Sequence, residues 1–180
     1  MKVRHWFSLV ATLFLLVACG SEAPPADVSI APPAADATAS TDPLSGTWVR
    51  NPEKATYSSP DLKPKSDKVV LAVVGDSVHV IADGVNSSGL ATHAEYTAKF
   101  DGTPVATNGT VDGKPNPDID TASWKKIDDY TYEVHNTGKG QATVTNRIVV
   151  AADGKSRTST VTGKTGKGLA INNTFVMDKL

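Results

Sequence analysis

From Leu44 to the C-terminus, apolar and polar residues alternate in short runs that turn residues separate. In one such run, Ala94, Tyr96, Ala98 and Phe100 are separated by polar side chains. A period of two residues indicates a strand with one buried face, and helical spacing is found nowhere over a useful length. The pattern predicts strands at 68–74, 77–82, 92–100, 121–128, 130–138, 141–154, 155–163 and 169–178.

The turn residues indicate how these strands connect. Gly75-Asp76 folds the first two strands onto each other, and Asp101-Gly102 is a strong hairpin signal. We therefore expect an all-β domain over residues 44–180, built as an antiparallel up-and-down meander of about eight to ten strands. Closing this meander into a barrel would leave it without exposed edge strands.

The first 18 residues have the composition of an export signal. Lys2 and Arg4 form a positive segment, an apolar run follows from 6 to 17, and small residues end it. The apolar run is shorter than the roughly 20 residues that cross a bilayer as a helix. It therefore predicts a cleaved targeting segment, residues 1–18, and not a permanent membrane span.

The only cysteine of the chain stands at the end of this segment. The tetrad Leu16-Val17-Ala18-Cys19 resembles the lipobox of bacterial lipoproteins. The resemblance implies that the thiol of Cys19 is acylated, becomes the new N-terminus and anchors the protein to a membrane. Because Gly20, and not an aspartate, follows the cysteine, the resemblance implies the outer membrane, with the domain facing the periplasm. The alternative is an uncleaved export helix with an incidental thiol.

Residues 19–43 form a linker between the predicted anchor and the domain. Beyond Cys19 it consists mostly of Ala, Pro, Ser, Thr and acidic residues. Such a segment cannot bury enough surface to fold, so we expect a disordered, partly polyproline tether. The acids of the tether leave the domain nearly neutral, without the basic face that nucleic acid requires. We therefore expect no nucleic-acid partner, and a monomeric domain.

The start of the domain, residues 44–57, carries a Gly-x-Trp motif in Gly46 and Trp48. It resembles the opening of lipocalin-like domains, including small exported bacterial domains of uncharacterised function. The resemblance implies a lipocalin-like β-barrel in which Trp48 plugs the closed end. It also implies an arginine or lysine from a late strand packed across that ring, for which Arg147 and Arg157 are the candidates. The alternative is that Trp48 is an ordinary core residue.

Two motifs superficially suggest catalysis, and both fail. The Gly-Asp-Ser at 75–77 resembles a hydrolase nucleophile block, but it forms a predicted hairpin turn with no helix behind it. The Gly-Lys-Thr at 163–165 lacks the earlier glycine of a phosphate loop. We therefore expect no enzyme, no catalytic residue and no cofactor.

The three histidines of the domain, His79, His93 and His135, lie on the polar sides of their predicted strands. Their spacing matches no known set of metal ligands, so we expect no metal site. The acidic pairs Asp118/Asp120 and Asp128/Asp129 stand in turn-like stretches, where aspartate is favoured for its local hydrogen bonds.

Two functions remain. In the first, the barrel binds a small lipophilic ligand in an apolar cavity. The residues that we expect to line such a cavity are Trp48, Tyr96, Phe100, Trp124, Tyr132 and Phe175. In the second, the interior is fully packed, and the domain is a non-enzymatic envelope spacer or protein-interaction module. Interior volume separates the two functions, and alternation alone does not give it.

Overall fold

The computed structural model describes residues 41–138 and 142–180. The predicted signal segment, Cys19 and the tether up to residue 40 lie outside the described residues. Within the described ranges, no helix is long and apolar enough to cross a membrane. The helical structure there is a single 3-10 turn at Pro60–Leu62, whose N-cap Ser59 accepts a hydrogen bond from the backbone N–H of Asp61.

The domain consists of antiparallel strands, which confirms the predicted all-β meander. Nine strands are six residues or longer, and three consist of two residues each. They are β1 (Gly46–Thr56), β2 (Ser66–Val74), β3 (Ser77–Val85), β4 (Ala91–Lys99), β5 (Val105–Ala106), β6 (Thr110–Val111), β7 (Lys114–Pro115), β8 (Thr121–Lys126), β9 (Thr131–Thr137), β10 (Thr143–Val150), β11 (Ser156–Lys164) and β12 (Ala170–Lys179).

The strand order is that of an up-and-down barrel. The sheet runs β8-β9-β10-β11-β12-β1-β2-β3-β4, so the first strand pairs with the last. The short strand β5 lies between β4 and β8 and pairs with β8. Thr107, next to β5, donates its backbone N–H to Asp120 and accepts at its carbonyl from Glu95 of β4. Backbone hydrogen bonds therefore continue around the ring.

The predicted turns hold, with one addition. Gly75-Asp76 joins β2 to β3, and the chain reverses after β4 at Asp101-Gly102, where Asp101 also bridges to Lys125. The addition is a tight hairpin between β6 and β7 at Asp112 and Gly113. Both residues have positive φ, 52° and 71°, as the two central residues of a type I′ hairpin turn require.

Alternation places one face of every long strand inside the barrel. The end at which β1 begins and β2, β4 and β8 finish is called here the closed end, and the opposite end is the open end. Leu44 and Trp48 are fully buried at the closed end, and they pack in one cluster with Tyr132, Val78 and Val150. Burial of such large side chains accounts for most of the stability of a domain of this size.

β1 departs from regular pairing halfway along its length. It pairs with β2 only as far as Val49, which lies opposite Lys68. On its other side, Arg50 pairs with Met177 and Ala55 with Phe175, so residues 51–54 bulge from the ladder. Between the bulge and the start of β2, the barrel wall is therefore open.

Candidate functional site

The closed end is built around Trp48. Its indole N–H donates to the carbonyl of Leu44 at 2.9 Å. The guanidinium of Arg157 lies 5.2 Å from the centre of the ring and the ammonium of Lys179 lies 4.9 Å from it. Of the two candidate arginines, Arg157 therefore lies beside the ring of Trp48, whereas Arg147 is exposed on the outer face. Lys179 was not predicted, although its place near the end of β12 puts it opposite Trp48.

Arg157 is an unusual core residue. Only 4% of its surface is exposed, and its hydrogen bond in the described part of the chain is to the thioether sulfur of Met177, 2.9 Å away. Burial lowers the pKa of Arg157 to about 10, although the nearby Asp67 carboxylate opposes this shift. The face of Trp48 adds a cation–π contact to this guanidinium.

Aromatic side chains fill the rest of the closed end. The ring of Phe100 packs edge-on against Trp124 at 6.3 Å and tilted against Tyr132 at 5.6 Å. The indole N–H of Trp124 donates to the hydroxyl of Tyr96 at 3.2 Å. Burial raises the pKa of Tyr96 above its ordinary value, so this hydroxyl stays protonated.

Asp42 ties the start of the domain to this end. Its carboxylate accepts from the Tyr132 hydroxyl at 2.7 Å, from Lys126 at 3.0 Å and from the backbone N–H of Leu44 at 2.9 Å. Burial alone would raise the pKa of Asp42, but these hydrogen bonds outweigh it and hold the pKa below 3.8. Burial and the adjacent carboxylate raise the pKa of Tyr132 far above its ordinary value.

The open end has a different construction, centred on Arg50. Its guanidinium stacks 3.6 Å from the centre of the Phe175 ring, forms an ion pair with Asp67 and donates to the hydroxyl of Tyr57 at 2.9 Å. The side chain is only 11% exposed. Its Nε is buried without a hydrogen-bond partner among the described residues.

Two pockets adjoin at Arg50. The first, the wall pocket, occupies about 770 Å³ where β1 parts from β2. It is lined by Val49, Arg50, Pro52, Tyr57, Pro60, Lys63, Pro64, Lys65, Ser66, Asp67, Lys68, Asp83, Gly84, Val85 and Ser87. The second, the mouth pocket, occupies about 350 Å³ at the open end. It is lined by Arg50, Tyr57, Asp61, Leu62, Pro64, Asn86, Ser87, Val161, Asn173 and Phe175.

Of the six residues predicted to line a cavity, Phe175 borders the mouth pocket. The other five, Trp48, Tyr96, Phe100, Trp124 and Tyr132, lie in the core cluster or packed against it. A cavity lined by these five stays a prediction. Both pockets described here exceed the ~300 Å³ at which ligand sites usually begin.

Sequence reasoning missed Arg50, Tyr57 and Asp67. One signal could have identified Arg50, since the period of two that turns Trp48 inward also turns Arg50 inward. A charged residue at an inward position needs a partner or a ligand. Asp67 could not have been found in this way, because its place beside Arg50 depends on the pairing of β1 with β2.

The three histidines lie on the outer face, as predicted. His93 contacts Asp83 at 2.8 Å, His79 lies 3.4 Å from Glu95, and His135 contacts Glu133 at 2.7 Å. In the ranges 41–138 and 142–180, no three histidine, cysteine or acidic side chains are arranged to hold a metal ion. Asp128 accepts from the backbone N–H of Tyr130 at 2.9 Å, as a turn-forming aspartate does.

Comparison with known proteins adds little. No protein-family model matches the chain. No curated protein matches it either. Among solved structures, EF1p2_mFAP2b bound to DFHBI aligns over 77% of this chain and 94% of its own, at 13% identity and a TM-score of 0.40. A redesigned β-barrel, mFAP1, bound to DFHBI, aligns over 76% and 95%, at 12% identity and a TM-score of 0.33. Likenesses this distant carry no argument about function.

Proposed function

We propose that this chain is a membrane-anchored lipoprotein of the cell envelope whose barrel binds a small lipophilic ligand at its open end. The observation that carries the ligand proposal is the pair of adjoining pockets around Arg50. Their walls include the side chains of Val49, Val85, Val161 and Phe175. Mostly apolar pockets with a few polar groups are typical of small-molecule sites.

The position of the pockets fits a tethered binding domain. Residues 41–43 lie at the closed end, where Lys179 donates to the carbonyl of Pro43 at 3.1 Å. The first described residues of the domain therefore lie at the end opposite the mouth pocket. In this proposal, the ligand enters at the open end, away from residues 41–43.

Ligand binding is tested on the mature chain without its lipid, residues 19–180 with Cys19→Ser, exported by a cleavable signal. Titration with dodecanoate should raise the melting temperature, because a hundredfold excess over the Kd contributes about 2.7 kcal/mol. Val161→Trp fills the mouth pocket and should abolish the shift. Val149→Trp, on the exposed outer face of β10, is the matched control and should preserve it.

A mature chain that gives no shift, and with which no lipid copurifies by native mass spectrometry, would contradict the ligand proposal. The second function, a spacer or protein-interaction module, would then be favoured. The close packing of Phe100 with Trp124 and Tyr132 already supports this alternative at the closed end.

The anchor is tested separately on the full-length precursor. Cys19→Ser should remove lipid modification and leave the precursor uncleaved, because the lipobox supplies both signals. Labelling cells with a radioactive fatty acid should mark the native protein and not the variant. Equal labelling of both would overturn the lipoprotein assignment without affecting the ligand proposal.

A further inference from the structure

We infer that the ligand of the wall pocket is an anionic amphiphile whose acidic head group is held by Lys63, Lys65 and Lys68. The inference rests on the proposed ligand-binding function and specifies the chemistry of the ligand. The head group would be a carboxylate or a phosphate, since both present oxygen acceptors and negative charge to an ammonium.

The first support is the charge around the pocket. Four cationic side chains line it, the three lysines and Arg50, against two carboxylates, Asp67 and Asp83. Asp67 is paired with Arg50. Asp83 contacts His93 at 2.8 Å and lies opposite Lys68 in the pairing of β2 with β3. The three lysines therefore outnumber the one remaining carboxylate, and the lining keeps an excess of positive charge.

The second support is that these lysines are not engaged elsewhere. In the part of the chain that the structure describes, none of the three side chains has a hydrogen bond or a carboxylate within ion-pair distance. By contrast, Lys126 is paired with Asp42 at 3.0 Å, and Lys99 lies 3.7 Å from Asp76. Single unpaired lysines are common on surfaces, but these three border one pocket.

The third support is the apolar surface beside this charge. Val49, Tyr57 and Val85 form walls of the pocket, and Pro60 and Pro64 fix the backbone of the β1–β2 loop that carries two of the lysines. Low-dielectric walls strengthen the attraction of a nearby cationic group for an anion. A purely polar anion would leave these walls without a partner, whereas an alkyl chain would cover them.

The fourth support is continuity with the mouth pocket. Both pockets border Arg50, Tyr57, Pro64 and Ser87. A head group at the lysines would therefore place its alkyl chain along Tyr57, in the direction of Phe175. The two pockets would then act as one site, with the lysines at one end and the apolar side chains of Leu62, Val161 and Phe175 at the other.

The test uses three probes with the same tail: dodecanoate, dodecyl phosphate and dodecanol. Binding to the unlipidated mature chain is measured by isothermal titration calorimetry below the critical micelle concentration of each probe. We expect at least one of the two anions to bind more tightly than dodecanol, with an affinity that falls as salt is added. Whichever anion binds more tightly identifies the head group as a carboxylate or a phosphate.

The decisive variant is K63Q/K65Q/K68Q, with K114Q/K155Q/K164Q as a control that loses the same charge elsewhere. The first variant should bind the anions about tenfold more weakly, since three partly exposed charge contacts are lost, and dodecanol should be unaffected. The control should bind all three probes as the native chain does. Circular dichroism should show the same strand content for both, because all six lysines are exposed.

Two results would overturn the inference. Dodecanol could bind as tightly as both anions, or the pocket variant could bind the anions as the native chain does. Either result leaves ligand binding intact and removes only the anionic head group. If none of the three probes binds, the proposed function fails together with the inference.

Discussion

Trp48 and Arg50 lie two residues apart on the same inward face of β1, yet Trp48 lies in the packed core and Arg50 lies beside two pockets. Trp48 is fully buried, and its ring is covered by Arg157 and Lys179. Arg50 borders two pockets, and its partners are Asp67, Tyr57 and the ring of Phe175. One strand thus connects a closely packed end to an end that borders two pockets.

The difference between the two ends arises from how β1 pairs with its neighbouring strands, and not from amino-acid composition alone. At Trp48, β1 has a strand on each side, so the interior there is enclosed. After Val49, β1 no longer pairs with β2, and residues 51–54 bulge from its pairing with β12, so the wall opens there. Substitutions at the closed end should therefore change stability, and substitutions at the open end should change binding.

The largest effect is expected from Trp48→Ala. Removing a fully buried indole should lower the free energy of unfolding by about 3–5 kcal/mol, because it leaves a cavity in the core. Urea denaturation followed by circular dichroism measures it. Tyr57→Ala, an aromatic truncation at the open end, is the control, and its cost should be well below that of Trp48→Ala. Equal costs at both positions would contradict the division between the two ends.

The next effect concerns Asp42 and depends on pH. Asp42→Asn should cost about 2 kcal/mol at pH 7, since it removes charge-assisted hydrogen bonds from Tyr132 and Lys126. The pKa of Asp42 in the folded state lies below its ordinary 3.8, so the unfolded chain takes up the proton first. The stabilisation is therefore complete above about pH 5 and is lost as the pH falls through 3.8 and below.

Thermal melts of native chain and Asp42→Asn from pH 7 to pH 2.5 measure this difference. The two curves should converge at the acid end. Asp129→Asn is the control, because Asp129 also faces Lys126 but is exposed and lies farther from it, at 3.8 Å. It should change stability by less than about 0.5 kcal/mol. A difference between native chain and Asp42→Asn that is constant with pH would exclude the carboxylate as its source.

These two ends also differ in how far the sequence predicts them. Alternation correctly turned Ala98 and Phe100 inward and His79 and His93 outward, because in a strand the face follows from position alone. Which arginine contacts Trp48 depends on the pairing of β11 with β12, which the local pattern does not reveal. Arg157 faces inward opposite Met177, whereas Arg147 is turned outward.

The open end was less predictable. Asn51-Pro52-Glu53-Lys54 interrupts the alternation of β1, but a local pattern does not reveal how a strand leaves its neighbour. The pockets depend on that departure, so their location was not predicted. The hairpin at Asp112-Gly113 is a different case, because its Asp-Gly dipeptide is a recognised local signal that the strand pattern could have included.

A smaller effect on stability is expected at the open end. Arg50→Met removes the largely buried ion pair with Asp67, the hydrogen bond to Tyr57 and the cation–π contact with Phe175. It should lower the free energy of unfolding by about 1 kcal/mol, because Asp67 borders the wall pocket, where water can hydrate the freed carboxylate, and the methionine retains some packing. Urea titration measures it. A loss close to that of Trp48→Ala would place Arg50 in the structural core.

The smallest effect is a spectroscopic one, and it places the ligand directly. Once residues 1–18 are removed, Trp48 and Trp124 are the only tryptophans, and both lie in the packed core. A ligand at the open end should therefore change their emission by only a few per cent. Tyr57→Trp introduces a tryptophan at the junction of the two pockets, and titration with dodecanoate should quench or blue-shift it saturably. Val149→Trp, on the outer face, should not respond.

Strong quenching in the native chain would instead mean that the ligand reaches the aromatic cluster of the closed end, because emission responds to contacts within a few ångströms of the indole. The cavity predicted among Tyr96, Phe100 and Trp124 would then be the ligand site, and the wall and mouth pockets would not.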